Sequence, residues 1–289
     1  MPTRLSAVVV LMTLSLAASH AAAAVDTCWD SLTFAASRGF LSASIELQFQ
    51  HPDPTSDMKA SLSELRVDFK AMRSHGELAI QYQADTLNAP KRLRISHGRN
   101  SRAKEHTVND RSVVRERREQ QGDNKRAIED WPITSSNMFA LPDAHATDAA
   151  VLSPTLLLIE AARMTARDEQ TREVDVFTDK QLYRVRLERQ PAEQMDVDLV
   201  LNSNGSKISL SGDRAVTRFR ILPTLLNLED EDEPFKLLEL SGELSIAIDN
   251  AYLIPVLVEG SWFRIGRIPA ALSEASLNNT GTQCARQVD

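Results

Sequence analysis

Residues able to move protons or ligate metals are present, but their linear spacing matches no familiar reaction set. His51, His75, His97, His106 and His145 lie beyond the N-terminal leader described below, and no two have metal-ligand spacing on a helix. His51, His75 and His97 stand beside proline or glycine and read as turn residues. The glycines form no phosphate loop, dinucleotide fingerprint or Gly-x-Ser-x-Gly elbow. Glu229, Asp230, Glu231, Asp232 and Glu233 are the most acidic run. Carboxylate oxygens suit calcium, yet the spaced ligands and turn glycine of a calcium loop are missing, so a solvated loop before Pro234 is expected. Arg111, Arg115, Arg117 and Arg118 fit either an anion-reading patch or a solvated strand face, and Glu116 and Glu119 among them favour the second. No catalytic residue, metal site or cofactor is expected from these patterns. Carboxylate pairs for glycoside hydrolysis are defined by distance in space, which the sequence does not give.

The two cysteines, Cys28 and Cys284, sit near opposite ends of the chain. Two thiolates without a neighbouring histidine fall short of a zinc set. In an oxidising compartment such a pair usually forms a disulfide, and in a reducing one it stays as two thiols. Closing so long a loop stabilises by roughly 5 kcal/mol in the chain-entropy model.

The N-terminus argues for the oxidising case. Arg4 gives a positive start, residues 5–18 form an apolar run, and Ala22-Ala23-Ala24 fits the small-x-small rule with Ala22 and Ala24 at the cleavage positions. Cleavage after Ala24 leaves residues 25–289. The apolar run is shorter than the roughly 20 residues a spanning helix needs. No cysteine stands at the cleavage site to carry a lipid. Later in the chain, residues 151–164 are the most apolar stretch, and Glu160 and Arg163 interrupt it. The expectation is a periplasmic protein, soluble after processing, with no transmembrane anchor. A net charge of -7 argues against nucleic acid as a main partner, because phosphate binding needs a basic field.

Stepping two residues at a time exposes the elements. Leu41, Ala43, Ile45, Leu47 and Phe49 alternate with Ser42, Ser44, Glu46, Gln48 and Gln50. Leu65, Val67, Phe69 and Ala71 repeat the pattern, as do Leu78, Ile80, Tyr82 and Ala84. A helical period would scatter these sets. One apolar and one wet face per strand is the mark of an antiparallel sheet covered on one side. Arg38-Gly39 and His75-Gly76 are expected at tight connections, with a longer loop at residues 51–57. The alternation continues less clearly at residues 93–95 and 105–119.

One helix stands out in residues 153–164, with Ser153 as N-cap, Pro154 in the first position, and an apolar surface nearly all round. It is expected to lie buried against the sheet. Tyr183, Val185 and Leu187 begin a second strand series, followed by Val197, Leu199 and Leu201, an Asn204-Gly205 hairpin, and Leu244, Ile246 and Ile248. Pro255 suggests an edge or a bulge. The polar tail at 273–289 is expected to be loose apart from Cys284. The reading is one mainly β domain over residues 25–289, a curved antiparallel sheet, half-barrel or barrel with one prominent buried helix.

The later part of the chain resembles a known family. The apolar helix after Ser153-Pro154, then Val174-Asp175-Val176-Phe177-Thr178-Asp179, Leu182-Tyr183-Arg184-Val185-Arg186-Leu187, and finally Leu253-Ile254-Pro255-Val256-Leu257-Val258-Glu259 are similar to the exported bacterial family called domain of unknown function 3108. The likeness spans residues 32–272, although Leu257 and Val258 stand where members often have Arg and Ile. It implies a periplasmic half-barrel akin to lipoprotein carriers, and it implies no catalytic residues.

The expected function is a noncatalytic cell-envelope protein that binds a lipid, another apolar ligand or an envelope partner. Its apolar ligand face is Leu41, Ile45, Leu47, Phe49, Val67, Phe69, Ile80 and Tyr82. Whether that face is an open groove or a packed core depends on how far the sheet closes. The alternatives are a hydrolase acting on envelope polymers and a structural subunit of an export or assembly complex.

Overall fold

A computed structural model describes residues 29–38, 41–50, 62–71, 74–98, 100–121, 126–143, 145, 149–203, 205–226, 233–262 and 265–277. The proposed leader, Cys28, Cys284 and the acidic residues 229–232 lie outside them.

The period-two stretches become a long antiparallel meander. It runs β1 (Trp29–Arg38), β2 (Leu41–Gln50), β3 (Ser63–Ala71), β4 (Ser74–Tyr82), β5 (Lys91–His97), β6 (Arg102–Asn109), β7 (Ser112–Glu119) and β8 (Ile133–Ala140), each strand paired to the next. Register follows the apolar sets: Ile45 lies opposite Phe69, Leu47 opposite Val67, and Leu65 opposite Ile80. A slip by one residue would turn all of these to solvent, which is why the pairing is fixed. His75-Gly76 was expected in a turn, but both belong to β4, because His75 pairs with Lys70 and Gly76 with Phe69.

After β9 (Val151–Leu152) comes the helix. Residues Pro154–Leu156 form a single 3-10 turn, and α1 (Leu157–Arg167) follows. Ser153 precedes that turn, but its hydroxyl makes no capping bond. Every residue of α1 from Leu157 to Thr165 is buried, including Glu160 and Arg163. Arg172 reaches Glu160 at 3.2 Å, and Arg163 donates to the carbonyls of Ala84 and Asp85. These pairings answer the penalty on buried charge. The helix ends at Asp168 with φ 58°, a left-handed C-terminal residue that is usually glycine.

The second series is β10 (Thr171–Phe177), β11 (Leu182–Arg189), β12 (Glu193–Ser203), β13 (Ser206–Leu225), β14 (Ser241–Asp249), β15 (Pro255–Trp262) and β16 (Gly266–Leu277). Their sheet continues the meander in the order β1-β16-β15-β14-β13-β11-β10-β9. The long strand β13 pairs first with β12 and then with β11 along one edge, and Pro191, which has no N–H to donate, falls in the break between them. On its way β12 leaves the flat sheet and meets β16 in parallel at Val200–Asn202, which closes a five-strand barrel of β12 to β16. Gly212, at φ 100°, supplies a bend within β13 that other residues resist. Pro255 sits at a register shift between β14 and β15, so it marks a bulge. The tail expected to be loose from Ser273 is strand up to Leu277, paired with β1 and tied by the Ser273 hydroxyl to the Thr33 carbonyl at 3.0 Å.

One continuous apolar core joins the first four strands, α1, and the strands from β10 to β16. The far end of the meander packs against β9, β10 and β11. Val113 and Phe139 pack on Val151, Phe177 and Leu182, and the Ala89 amide donates to the Val151 carbonyl at 2.9 Å. The molecule is thus mainly β, a curved antiparallel sheet with a closed barrel and a short buried helix, as the alternation predicts. Among the described residues no helix is long and apolar enough to cross a membrane.

Candidate functional site

The concave face of the meander changes character midway. Through β4 it presents Ile45, Val67, Phe69, Leu78 and Ile80. In β5 the alternation puts Arg92 opposite Ile80 and Arg94 opposite Leu78, so the same face becomes basic. His106 and Lys104 of β6 follow opposite Arg92 and Arg94, and Arg115 of β7 lies opposite His106. The apolar side chains of β5 and β6 face outward instead, where Ile95 and Ala103 pack under Trp131.

Where the two characters meet there is an open cleft of about 900 Å³, its mouth included. Ile45, Val67, Phe69, Leu78 and Leu238 line its apolar side, while Arg92, Arg94, Asp179, Glu233, Lys236 and Glu239 line its polar side. Ser153 also lines it; the residue is 2% exposed and its Oγ has no hydrogen-bond partner. Phe69 meets Trp262 edge-on, with ring centroids 6.2 Å apart.

Asp179, in the turn between β10 and β11, anchors the polar wall. Its Oδ2 accepts from Lys104 Nζ at 2.5 Å and from Arg115 at 3.3 Å. His106 Nε2 faces only acceptors, the Asp179 carbonyl at 3.0 Å and Oδ1 at 3.4 Å, so the neutral ring carries its proton there. Burial, and then the charge of Arg92, push His106 down to about 4 against the opposing pull of Asp179. Burial alone would raise the Asp179 carboxyl, but hydrogen bonds from His106 and Lys104 and the lysine charge outweigh it and hold it below the usual carboxylate range. Arg92 donates to the carbonyls of Phe177 and Thr178, and burial lowers it to about 10. This constellation fastens the end of the sheet to the β10–β11 turn.

The opposite rim is a tight turn in backbone strain. Leu237 and Leu240 exchange backbone hydrogen bonds of 2.9 Å around Leu238 and Glu239, at φ 50° and 65°. Two successive left-handed residues are the geometry that Asn-Gly normally fills. Glu239 is held by Arg94 at 2.8 Å, and the Glu233 carboxylate by Lys236 at 3.4 Å. The rim therefore carries both signs, already paired.

Of the ligand face expected from sequence, Ile45, Val67 and Phe69 line the cleft. Leu47, Phe49, Ile80 and Tyr82 are packed in the core, Phe49 edge-on to Trp29 at 5.1 Å. The side chain of Leu41 lies outside the described residues. The arginine-rich stretch is paired strand face: Arg117 bonds Glu119, Arg118 bonds Glu116, and Arg115 reaches Asp179 and Asn137. Sequence reasoning missed Arg92, Arg94, Lys104, His106, Ser153 and Asp179. The alternation of Arg92 and Arg94 with Leu93 and Ile95 is legible, but which set faces inward is decided by the partner strands.

A second recess is lined by Asn88, Asn109, Asp110 and His145. His145 Nδ1 lies 2.8 Å from Asp175, which Arg184 also holds. A carboxylate on one imidazole nitrogen orients a general base. Among the described residues no hydroxyl or thiol is hydrogen-bonded to this histidine.

Compared with protein-family models, with curated proteins and with solved structures, the chain shows no match.

Proposed function

We propose that the protein is a noncatalytic, exported protein of the bacterial cell envelope that binds one amphipathic molecule in the concave cleft. The observation that carries this reading is an apolar floor left open beneath a charged rim, where a packed core would leave no such space. An acyl chain or similar apolar segment lies over Ile45, Val67 and Phe69, and its polar end meets Arg92, Arg94 and the buried, unpartnered Ser153 hydroxyl. Both signs at the rim are paired internally, so the head group is read through hydrogen bonding more than through net charge. The leader-like N-terminus supports a periplasmic location.

Native mass spectrometry of periplasmic protein, followed by organic extraction, tests the reading. A bound lipid is expected, and titration of the stripped protein with a lysophospholipid is expected to change Trp262 fluorescence. Phe69→Glu places a charge on the floor and should abolish both. No extractable lipid together with no lysophospholipid binding would overturn the proposal in favour of an envelope protein partner.

A further inference from the structure

On the outer face of the same sheet the strand register gathers residues that are far apart in sequence, one of which, Glu77, also borders the cleft. His75 of β4 lies directly opposite His97 of β5, and Asp68 of β3 lies directly opposite Glu77 of β4. The two imidazoles stack with centroids 4.5 Å apart and planes 19° apart. Both Nε2 atoms turn to one carboxylate oxygen: Glu77 Oε1 is 2.8 Å from His97 and 3.8 Å from His75. Asp68 Oδ2 stands 3.3 Å from His75 Nε2. One ligand atom from each of His75, Glu77 and His97 fits within 4.8 Å of the others.

We propose that His75, Glu77 and His97 bind one divalent transition-metal ion on the outer face of the sheet, with solvent completing its coordination. Two imidazoles and carboxylate oxygen form a mixed donor set that zinc accepts. Tetrahedral coordination with arms of about 2.05 Å sets ligand atoms roughly 3.3 Å apart. To reach that spacing the His97–Glu77 contact must open by about 0.5 Å and the His75–Glu77 contact must close by as much, while Asp68, the hydrogen-bond acceptor of His75 when no ion is bound, stays beside it. Side chains 34–46% exposed have room for that adjustment and are open to an ion from solvent. The neighbouring cation is Lys70, whose Nζ lies 3.3 Å from Asp68 Oδ1, leaving Oδ2 to face His75. Without the ion, the imidazoles and carboxylates satisfy one another. With it, β4 and β5 are clamped together, and the inner faces of these strands carry Leu78 and Arg94 of the cleft wall.

The test is isothermal titration of the untagged, chelator-stripped, processed chain with zinc chloride, alongside thermal melts. One ion per chain is expected, with a melting temperature raised by zinc. His97→Ala and His75→Ala should each weaken binding by more than about 100-fold, beyond the 10–100-fold that follows loss of a group merely supporting a ligand. Glu77→Gln should weaken it by at least about tenfold. His75 is half-buried and Glu77 and His97 are exposed at a strand surface, and circular dichroism confirms that each variant is folded. No binding by the parent protein would overturn the proposal. So would unchanged affinity in His97→Ala, which would assign the ion to another set of ligands. Neither outcome bears on lipid extraction from the cleft.

Discussion

Acidification should destabilise the protein through His106 before the carboxylates titrate. An imidazole titrates at 6.5 when exposed, and in the fold this one is pushed down to about 4. The native state therefore binds fewer protons than the unfolded chain between those values, and stability rises with pH across the window. Above pH 6.5 the histidine imposes no penalty. As pH falls the penalty grows, and at pH 4 it approaches its full size of about 3 kcal/mol, from roughly 1.4 kcal/mol per unit of displacement. At pH 5 the loss relative to pH 8 is about 2 kcal/mol. The Asp179 carboxylate keeps its charge through this window, because its own titration is held below the usual carboxylate range. Urea unfolding followed by far-ultraviolet circular dichroism at pH 8, 6.5 and 5 measures the effect. His106→Gln keeps an N–H for the Asp179 carbonyl and removes the titration. The parent should lose about 2 kcal/mol more than this variant between pH 8 and 5. Parallel losses in the two proteins would refute the argument and mean that His106 is no more hindered from charging when folded than when unfolded.

Other substitutions probe packing and strain. At Gly260 a Cβ would come 2.6 Å from Leu244 and 2.8 Å from Leu240, so Gly260→Ala should lower stability by about 1–3 kcal/mol in urea titrations. Asp249 is 2% exposed, holds Arg214 at 2.9 Å, and accepts from the amides of Ala251 and Tyr252; Asp249→Ala should lower stability by about 3 kcal/mol by the same assay. Glu239→Gly releases a left-handed non-glycine residue and removes only an exposed ion pair, so it should gain about 1 kcal/mol. A Cys28–Cys284 bridge would make both thiols alkylatable only after reduction, read as a mass increase of two labels; labelling of both without reductant counts against it.

Much of this architecture is readable in the chain before any coordinates. The alternation at residues 41–49, 65–71 and 78–82 becomes β2, β3 and β4, and the apolar run after Ser153 becomes a helix buried on every side. The elements legible only in part are those whose pattern depends on partners. In β13 the two halves pair with different strands, so no single period describes it. In β16 the polar residues Ser273, Glu274 and Ser276 hide a strand held by β1 and β12. The site is less legible than the fold for the same reason. Arg92 and Asp179, or His75 and His97, become neighbours only once the ladders are set, and nothing in the linear spacing of His75 and His97 foretells a stacked pair.

The final strand has an unusual position in the construction order. β16 is the last described element to be synthesised, yet it sits between β15 and β1 and also receives β12. Three earlier segments must wait, with apolar faces open, for a piece that follows all of them in the chain. Such long-range closure is slow, and the half-built sheet is a target for whatever binds exposed edges in the meantime. Loss of a few residues near position 270 would strand the whole assembly at that stage, whereas an equal loss from β8 at the far edge would unpair a single neighbour, β7.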